Sequence, residues 1–319
     1  MRKLRIGSRG SELALVQART IVARLREQVP ALEMEIEIIR TRGDIVTDVP
    51  LSQVGDRGLF IKEIETALTE CRIDFAVHSM KDVPSLIPEG LTLAATTDRL
   101  DPRDVLISRG SHRIEDLPEK GVLATGSLRR RSQALAMRPD LNIVDLRGNV
   151  TTRVRKFESS SWDGMLLAGA GLERLGLTHH IAGRIPTDQI LPAVGQGALA
   201  LEARQDDQEV IEVLHRLEHL DTAVAVRSER AFLGRLEGGC QVPIAALGSI
   251  QGDLITLEGY LGAIDGQQLV RRRGEAPASE AEHLGVALAE RILEEGGKEI
   301  LEEVRSAASD TNDHAPPTS

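Results

Sequence analysis

A strand, a glycine- or serine-rich turn and a helix follow one another three times in the middle of this chain. The three units are the strands 121–124, 141–145 and 165–167, followed by the turns 125–127, 147–149 and 169–171. Apolar strands alternating with helices are typical of α/β folds, in which neighbouring strands run parallel. Because parallel strands end at the same edge of their sheet, we expect the three turns to lie side by side.

Each of these turns also brings arginine to that edge. The arginines are Arg129 and Arg130 after the first strand, Arg147 and Arg153 after the second, and Arg174 after the third. A guanidinium group binds carboxylates and phosphates through two parallel hydrogen bonds. The pattern predicts one anionic ligand held by several arginines, although any single arginine could equally lie on a solvated helix face.

Two further strands end in polar residues. The strand 3–7 leads into a turn with Arg9 and then Ser11, which is placed to cap the following helix and to leave backbone N–H groups for an anion. An apolar strand at 73–77 runs directly into a polar segment that contains Lys81 and Asp82. Polar residues at the carboxyl end of a buried strand are where open α/β sheets place their ligand chemistry.

The chain divides into three domains in this interpretation. Polar or Gly/Pro-rich segments near residues 100 and 195 predict two crossings between a first domain, 1–98 with 196–218, and an inserted second domain, 102–192. A third domain, 219–305, combines helices with three strands that alternate like an antiparallel sheet. Residues 44–58 are expected to form a mobile loop that acts as a lid, and 306–319 a disordered tail.

Composition excludes several functional classes. The net charge of −10 gives the chain no general attraction for nucleic acid or an anionic membrane, and aromatic residues, at 2%, offer few surfaces for base stacking. No apolar run reaches membrane-spanning length, and the N-terminus lacks the features of a secretory signal. We therefore expect a cytoplasmic protein without nucleic-acid or membrane partners.

The two cysteines, Cys71 and Cys240, form no disulfide framework and no zinc-binding pattern, so no metal site is expected. Cys240 follows the end of a predicted helix, in a loop flanked by glycines. A single cysteine is most often a small buried apolar residue, and Cys71 is interpreted in this way.

Seven segments together resemble the porphobilinogen deaminase family, also called hydroxymethylbilane synthase. They occur in the family's order and span nearly the whole chain: RIGSRGS at 5–11, TRGD at 41–44, VHSMKDVP at 77–84, GSLRR at 126–130, LRGNVTTR at 146–153, LPAVGQG at 191–197 and LEGGCQVP at 236–243. Any one of them could arise by chance, but the ordered set is specific.

The resemblance implies a fold and an activity. The fold is α/β, with two domains like the halves of a periplasmic binding protein, built on mixed sheets and joined by two crossings. A small α+β C-terminal domain with a three-stranded antiparallel sheet carries the cysteine. The activity is a transferase reaction of tetrapyrrole and heme biosynthesis. Four porphobilinogen molecules are condensed head to tail with loss of ammonia, and water releases hydroxymethylbilane from a monomeric enzyme.

The resemblance also implies residue roles. Cys240 holds a dipyrromethane cofactor by a thioether, and this cofactor remains as the primer. Asp82 stabilises the cations that arise when ammonia leaves and the next pyrrole attacks. Binding of the acetate and propionate groups falls to a larger set: Arg9, Ser11, Lys81, Ser127, Arg129, Arg130, Arg147, Arg153 and Arg174. Gly126 departs from some members, which have a serine there, so one hydroxyl is missing from this turn.

Two other functions compete with this interpretation. A two-domain anion-binding protein without catalysis would explain the arginines but would give Asp82 and Cys240 no common role. A nucleic-acid-binding protein that used the arginines between residues 129 and 155 is opposed by the acidic net charge and the few aromatics.

Overall fold

A computed structural model describes residues 3–41, 61–236 and 242–312, with side chains as far as Ser306. The predicted lid at 44–58 and the cysteine Cys240 therefore lie outside the described residues. Within the described part of the chain, no helix is long and apolar enough to cross a membrane.

The N-terminal part of the chain forms α/β units. Its elements are β1 (Leu4–Arg9), α1 (Glu12–Gln28), β2 (Met34–Ile39), α2 (Lys62–Thr69), β3 (Phe75–Ser79) and β4 (Leu91–Thr96). Helix α1 begins where predicted, because the Ser11 side chain accepts a hydrogen bond from the Ala14 backbone N–H at 3.3 Å. It buries Ile21 and Leu25 against the sheet.

The middle of the chain repeats this pattern. Its elements are β5 (Asp104–Ser108), β6 (Val122–Ala124), α3 (Leu128–Met137), β7 (Asn142–Val144), α4 (Val150–Ser159), β8 (Gly164–Ala168), α5 (Gly169–Arg174) and β9 (Gly183–Arg184). Strand β6 is parallel to β7 and to β8, so the three arginine-bearing turns do end at one edge.

The chain then returns to the first sheet through β10 (Leu199–Arg204), which lies antiparallel between β3 and β4. The first sheet has the order β2-β1-β3-β10-β4, and the second has the order β7-β6-β8-β5-β9. The two orders correspond position by position. In the first sheet, β10 lies antiparallel beside β3, and in the second sheet β5 lies antiparallel beside β8; each of these inserted strands follows a crossing. The predicted class, two α/β domains with mixed sheets joined by two crossings, is confirmed.

The C-terminal part is the predicted α+β unit. It is preceded by α6 (Gln208–His215), whose Val210 and Leu214 pack in the core of the first sheet. The unit itself contains α7 (Leu220–Arg235), β11 (Ile244–Gln251), β12 (Leu254–Gly262), β13 (Leu269–Pro277), α8 (Ala281–Ile292) and α9 (Lys298–Asn312). Strands β11, β12 and β13 form an antiparallel meander, and α7 and α8 cover it. Phe232 packs so closely that a Cβ at Gly259 would lie 2.6 Å from its ring, so β12 needs glycine there.

One boundary differs from the prediction. Helix α9 extends to Asn312, so the tail predicted from residue 306 does not begin there. The apolar spacing of Ile300, Leu301 and Val304 anchors the helix, and the alanines that follow favour its continuation. The strands of each sheet lie within one predicted domain, whereas the domain boundaries themselves remain predictions.

The two crossings lie side by side and are tied to the C-terminal domain by Glu229. The Leu100 N–H donates to the Gly197 carbonyl at 3.3 Å. The fully buried Glu229 carboxylate forms an ion pair with Arg99, whose Nη2 lies 2.8 Å from Oε1, and accepts hydrogen bonds from the Gly195 N–H at 2.7 Å and the Gly248 N–H at 2.8 Å. A buried carboxylate is stable only when it is paired in this way, so Glu229 joins three parts of the molecule.

Candidate active site

Lys81 and Asp82 lie in a short 3-10 turn, Met80–Asp82, at the carboxyl end of β3. The turn is held to the neighbouring strand region by a hydrogen bond of 3.0 Å from the Met80 N–H to the Ala198 carbonyl. Gly195 of the second crossing packs directly on Met80, since a Cβ there would lie 2.3 Å from Met80 Cγ. Both polar side chains of the turn are exposed. The turn therefore exposes an ammonium and a carboxylate beside the second crossing.

The electrostatics of the turn connect it with the second sheet. The Lys81 ammonium is open to solvent, but protein surrounds it on its other sides, and this desolvation lowers its pKa to about 8. The negative charge of Asp82 acts against that shift, and the positive charge of Arg130 adds to it. Lys81 therefore lies close to the arginines of α3, although Lys81 belongs to the first α/β unit and these arginines belong to the second.

Arg153 shows that Asp82 also faces the second sheet. Desolvation lowers the pKa of Arg153 to about 10, with a further contribution from the positive charge of Arg130, whereas Asp82 raises it. The carboxylate of the first α/β unit is thus within electrostatic range of a guanidinium of the second. Lys81 thus interacts with Asp82 and Arg130, and Arg153 interacts with the same two residues.

Arg129 and Arg130, each 5% exposed, share a buried carboxylate that sequence reasoning missed. Arg129 Nη1 lies 2.7 Å from Asp104 Oδ2, and Arg130 Nη2 lies 2.8 Å from Asp104 Oδ1. Burial by itself raises the pKa of Asp104, but the two guanidinium groups hold it well below its usual range. The one available signal was an aspartate at the start of an otherwise apolar strand, Asp104–Ser108.

The remaining predicted residues occupy the ends of strands and helices. Arg9 is half-buried at the end of β1, and Ser127 precedes α3, with its N–H donating to Thr125 Oγ1 at 3.2 Å. Arg153 Nε donates to the Gly148 carbonyl at 2.7 Å, which folds the guanidinium back over its own turn. Arg174 Nη2 donates to the Gly197 carbonyl at 2.7 Å and so connects α5 to the second crossing.

Gly126 fits its position tightly. A Cβ on this residue would lie 2.4 Å from the Leu146 carbonyl oxygen, in the turn that carries Arg147. A larger residue would require the two turns to separate, so in this chain the glycine permits their close packing.

Several buried guanidinium atoms lack an acceptor in the described part of the chain. In the second α/β unit they are Arg130 Nε, Arg131 Nε and Arg147 Nη2, and in the first crossing they are Nη1 and Nη2 of Arg99, which forms an ion pair with Glu229. Unpaired buried donors are costly, and carboxylate groups of a ligand would satisfy them. The residues present therefore fit a bound molecule with several carboxylates. Arg131 was not singled out in the sequence, because only burial distinguishes it from a surface arginine.

Comparison with known proteins assigns the family. Residues 4–212 match the family model "Porphobilinogen deaminase, dipyromethane cofactor binding domain", and residues 223–294 match "Porphobilinogen deaminase, C-terminal domain". The porphobilinogen deaminase of Geobacter sulfurreducens is 51% identical over 304 residues, 95% of each chain, and that of Syntrophomonas wolfei is 48% identical over 305 residues, 96% of this chain and all of its own. The chain belongs to the porphobilinogen deaminase family.

The predicted family, enzyme class and cofactor are thereby confirmed. Porphobilinogen deaminases bind a dipyrromethane cofactor and polymerise porphobilinogen in tetrapyrrole biosynthesis. Solved structures that match part of the chain include the periplasmic aliphatic sulphonate-binding protein SsuA of Escherichia coli, at 15% identity and a TM-score of 0.41 over 74% of this chain and 71% of that one. Similarity at that level adds nothing to the topology described above.

One further contact near the site was not predicted. Gln17, 3% exposed in α1, donates from Nε2 to Ser79 Oγ at 2.8 Å, immediately before the Met80–Asp82 turn. Sequence periodicity gives no reason to expect a buried glutamine on the apolar face of α1. Its partner lies 62 residues away in the chain and is brought close only by the parallel pairing of β1 with β3.

Proposed function

We propose that this chain joins four porphobilinogen molecules head to tail onto a primer held by Cys240, and that water then releases hydroxymethylbilane. The observation that carries the proposal is the group of unpaired, buried guanidinium atoms in the second α/β unit. Another guanidinium of that unit, Arg153, is within electrostatic range of the exposed carboxylate of Asp82. Such an arrangement suits a substrate that carries carboxylates and develops positive charge as it reacts.

Carboxylate recognition is assigned to Arg9, Ser11, Lys81, Ser127, Arg129, Arg130, Arg147, Arg153 and Arg174. Each porphobilinogen unit brings an acetate and a propionate, so negative charge accumulates as the chain grows. Asp104 neutralises only one of the two charges on Arg129 and Arg130. The uncompensated positive charge, together with Arg147 and Arg153, offsets the carboxylates of the product.

Asp82 is proposed as the catalytic residue. Its carboxylate is exposed, whereas Asp104 is buried and paired with two arginines, so Asp82 is free to approach the N–H groups of a pyrrole. It would stabilise the positive charge that develops when ammonia leaves the substrate and would accept a proton after the new bond has formed. Lys81 beside it, with a pKa of about 8, supplies a cation for a carboxylate at neutral pH.

Cys240 is proposed as the attachment point, through a thioether to the dipyrromethane. It lies in the segment between α7 and β11, outside the described residues. When bound, the dipyrromethane supplies the pyrrole carbon to which the first substrate unit is joined. Cys240 therefore acts once, at attachment, and Asp82 and the arginines act in every cycle.

We further propose a cytoplasmic monomer without nucleic-acid partners, divided into domains 1–98 with 196–218, 102–192 and 219–305. The net charge of −10 supports the absence of nucleic-acid binding. The correspondence between the strand orders of the two five-stranded sheets supports the first two domains.

Intact mass measurement tests the attachment. The purified protein is expected to exceed its sequence mass by two linked pyrrole units, and a Cys240→Ala variant to have its sequence mass. A Cys71→Ser variant is the control, because Cys71, interpreted from the sequence as a buried apolar residue, is instead an exposed free thiol that could be modified in place of Cys240. An adduct that survives in Cys240→Ala, or is absent from the unaltered protein, would contradict the proposal.

A further inference from the structure

The Met80–Asp82 turn is held on its C-terminal side by one side chain from another domain. Arg230 of α7 donates to three successive backbone carbonyls that follow Asp82. The distances are 3.3 Å from Nη1 to Val83 O, 2.7 Å from Nη2 to Pro84 O and 3.1 Å from Nη2 to Ser85 O. A planar guanidinium makes such contacts with little freedom of movement, so the position of this backbone depends on the position of α7.

Arg230 is also set in a charged surrounding beneath the turn. Burial lowers the pKa of Arg230, and the negative charge of Glu202 in β10 opposes that shift. The Glu202 carboxylate is itself fully buried, and its Oε2 lies 2.9 Å from His78 Nε2 in β3. The guanidinium therefore binds the carbonyls that follow the turn and is within electrostatic range of a buried carboxylate of the sheet.

The packing behind the turn is incomplete. A cavity of about 290 Å³ lies beside Met80 and Arg230 and is bounded by residues of β4, α6 and α7, among them Leu93 and Val226. No side chain from the described part of the chain fills that space. The hydrogen bonds of Arg230 therefore contribute to the support of the turn on this side.

We propose that Arg230 is a positioning residue that fixes the Asp82 turn against α7, the helix that leads towards Cys240. Helix α7 ends at Arg235, and the chain continues from Leu236 into the segment that contains Cys240. One rigid element therefore sets the location of the catalytic carboxylate and the start of the segment that anchors the primer. This inference rests on the function proposed for Asp82.

The test compares Arg230→Gln with Arg109→Gln in enzyme shown by intact mass to carry the adduct. Arg109 is a matched control, because its Nη2 donates to the carbonyls of Phe157, Glu158 and Ser160 at 2.9, 3.2 and 2.7 Å, far from Asp82 along the chain. We expect Arg230→Gln to lower kcat by about 10- to 100-fold, the effect of misplacing a catalytic group by about 1 Å, with little change in KM. Arg109→Gln is expected to leave kcat unchanged.

Hydrogen exchange supplies a readout that does not depend on activity. In Arg230→Gln the amides between residues 80 and 86 should exchange faster, and in Arg109→Gln only those near 157–162. Arg230→Lys keeps the positive charge but loses the planar guanidinium with its several N–H donors, so it should recover part of kcat. If Arg230→Gln does not fold, Arg230→Lys is compared with the unaltered enzyme instead. A lower kcat together with faster amide exchange at residues 80–86 would then support the positioning role.

A normal kcat in the Arg230 variants, or an equal loss in Arg109→Gln, would overturn the inference. Asp82→Asn is measured in parallel to separate the two proposals. A fully active Asp82→Asn removes the proposed catalytic role itself. An inactive Asp82→Asn with fully active Arg230 variants removes only the positioning role.

Discussion

Asp82 and Asp104 are two carboxylates that interact with different arginines of the second α/β unit and differ in burial. Asp104 is buried and accepts hydrogen bonds from Arg129, Arg130 and, at 2.8 Å, from Gln196 Nε2. Asp82 is exposed at the end of a buried strand. A carboxylate that already accepts several hydrogen bonds stabilises the fold, whereas an exposed carboxylate can interact with a substrate.

Asp82→Asn should fold normally and lose most turnover, by about 10²- to 10⁴-fold, because the amide keeps the size of the side chain but neither stabilises a cation nor accepts a proton. The rate of product formation per adduct-bearing enzyme measures this, with circular dichroism to verify the fold. Near-normal turnover in this variant would remove Asp82 from the mechanism.

Lys81 predicts a pH dependence of substrate binding. Its pKa of about 8 means that the ammonium is lost as the pH rises through that value, and its attraction for a substrate carboxylate is lost with it. KM should therefore rise between about pH 7 and pH 9. Lys81→Arg should hold KM constant over this interval, because arginine stays protonated, and Lys81→Met should start with a high KM and remain there. A KM that rises equally in Lys81→Arg would assign the titration to another group.

At the scale of elements, the first turn of α3 is held to β5 by charge. Arg129 and Arg130, adjacent on α3, converge on Asp104 at the start of β5, and Arg129 also donates to the Leu191 carbonyl at 2.7 Å. Local sequence predicted the helix and its position at the sheet edge. It did not predict that Arg129 and Arg130 would use part of their hydrogen-bonding capacity on groups of the protein itself.

Asp104→Asn should lower the free energy of unfolding by about 3 kcal/mol or more at pH 7, because two buried guanidinium groups lose their counter-charge. The folded-state pKa of Asp104 is depressed, so its contribution is fully present above the unfolded pKa of about 4 and is lost as the pH falls. Urea unfolding at pH 7 and pH 3 measures this. The difference in unfolding free energy between the unaltered protein and Asp104→Asn should be smaller at pH 3 than at pH 7. A difference independent of pH would mean that the carboxylate charge is not the cause.

At the scale of the whole molecule, Glu229 joins the two crossings to the C-terminal domain. Its partners are Arg99 in the first crossing, Gly195 in the second and Gly248 in β11. Arg230 is the next residue along the same helix and binds the backbone that follows Asp82. Helix α7 thus contacts both the two crossings and the backbone that follows Asp82.

Glu229→Gln should cost about 3 to 5 kcal/mol of unfolding free energy, because it leaves the buried Arg99 guanidinium without its counter-charge. Glu290→Gln is the matched control, since Glu290 pairs with Arg235 on the surface and should cost at most about 1 kcal/mol. Denaturant unfolding of both variants measures the difference. Equal costs would show that the hinge does not depend on this carboxylate.

Sequence by itself determined the class of fold, the order of its elements and most of the candidate site. Strand, turn and helix periodicities are local, and the parallel pairing of β6 with β7 and β8 follows from their alternation with helices. Boundaries were less exact: the strand predicted at 73–77 is observed as Phe75–Ser79, and α9 continues to Asn312. Strand ends depend on the neighbouring strand, β10, which pairs with β3 as far as Ser79.

Only the tertiary structure decided how the charged residues are shared. Asp104 captures Arg129 and Arg130, Glu229 joins the hinge to α7, and Arg230 reaches Pro84 across 146 positions of the chain. No local period encodes these pairings, because each is selected by the cost of leaving a buried charge or carbonyl without a partner once the domains are packed. Local pattern therefore placed the arginines at the sheet edge, and long-range burial determined which of them remain available for a ligand.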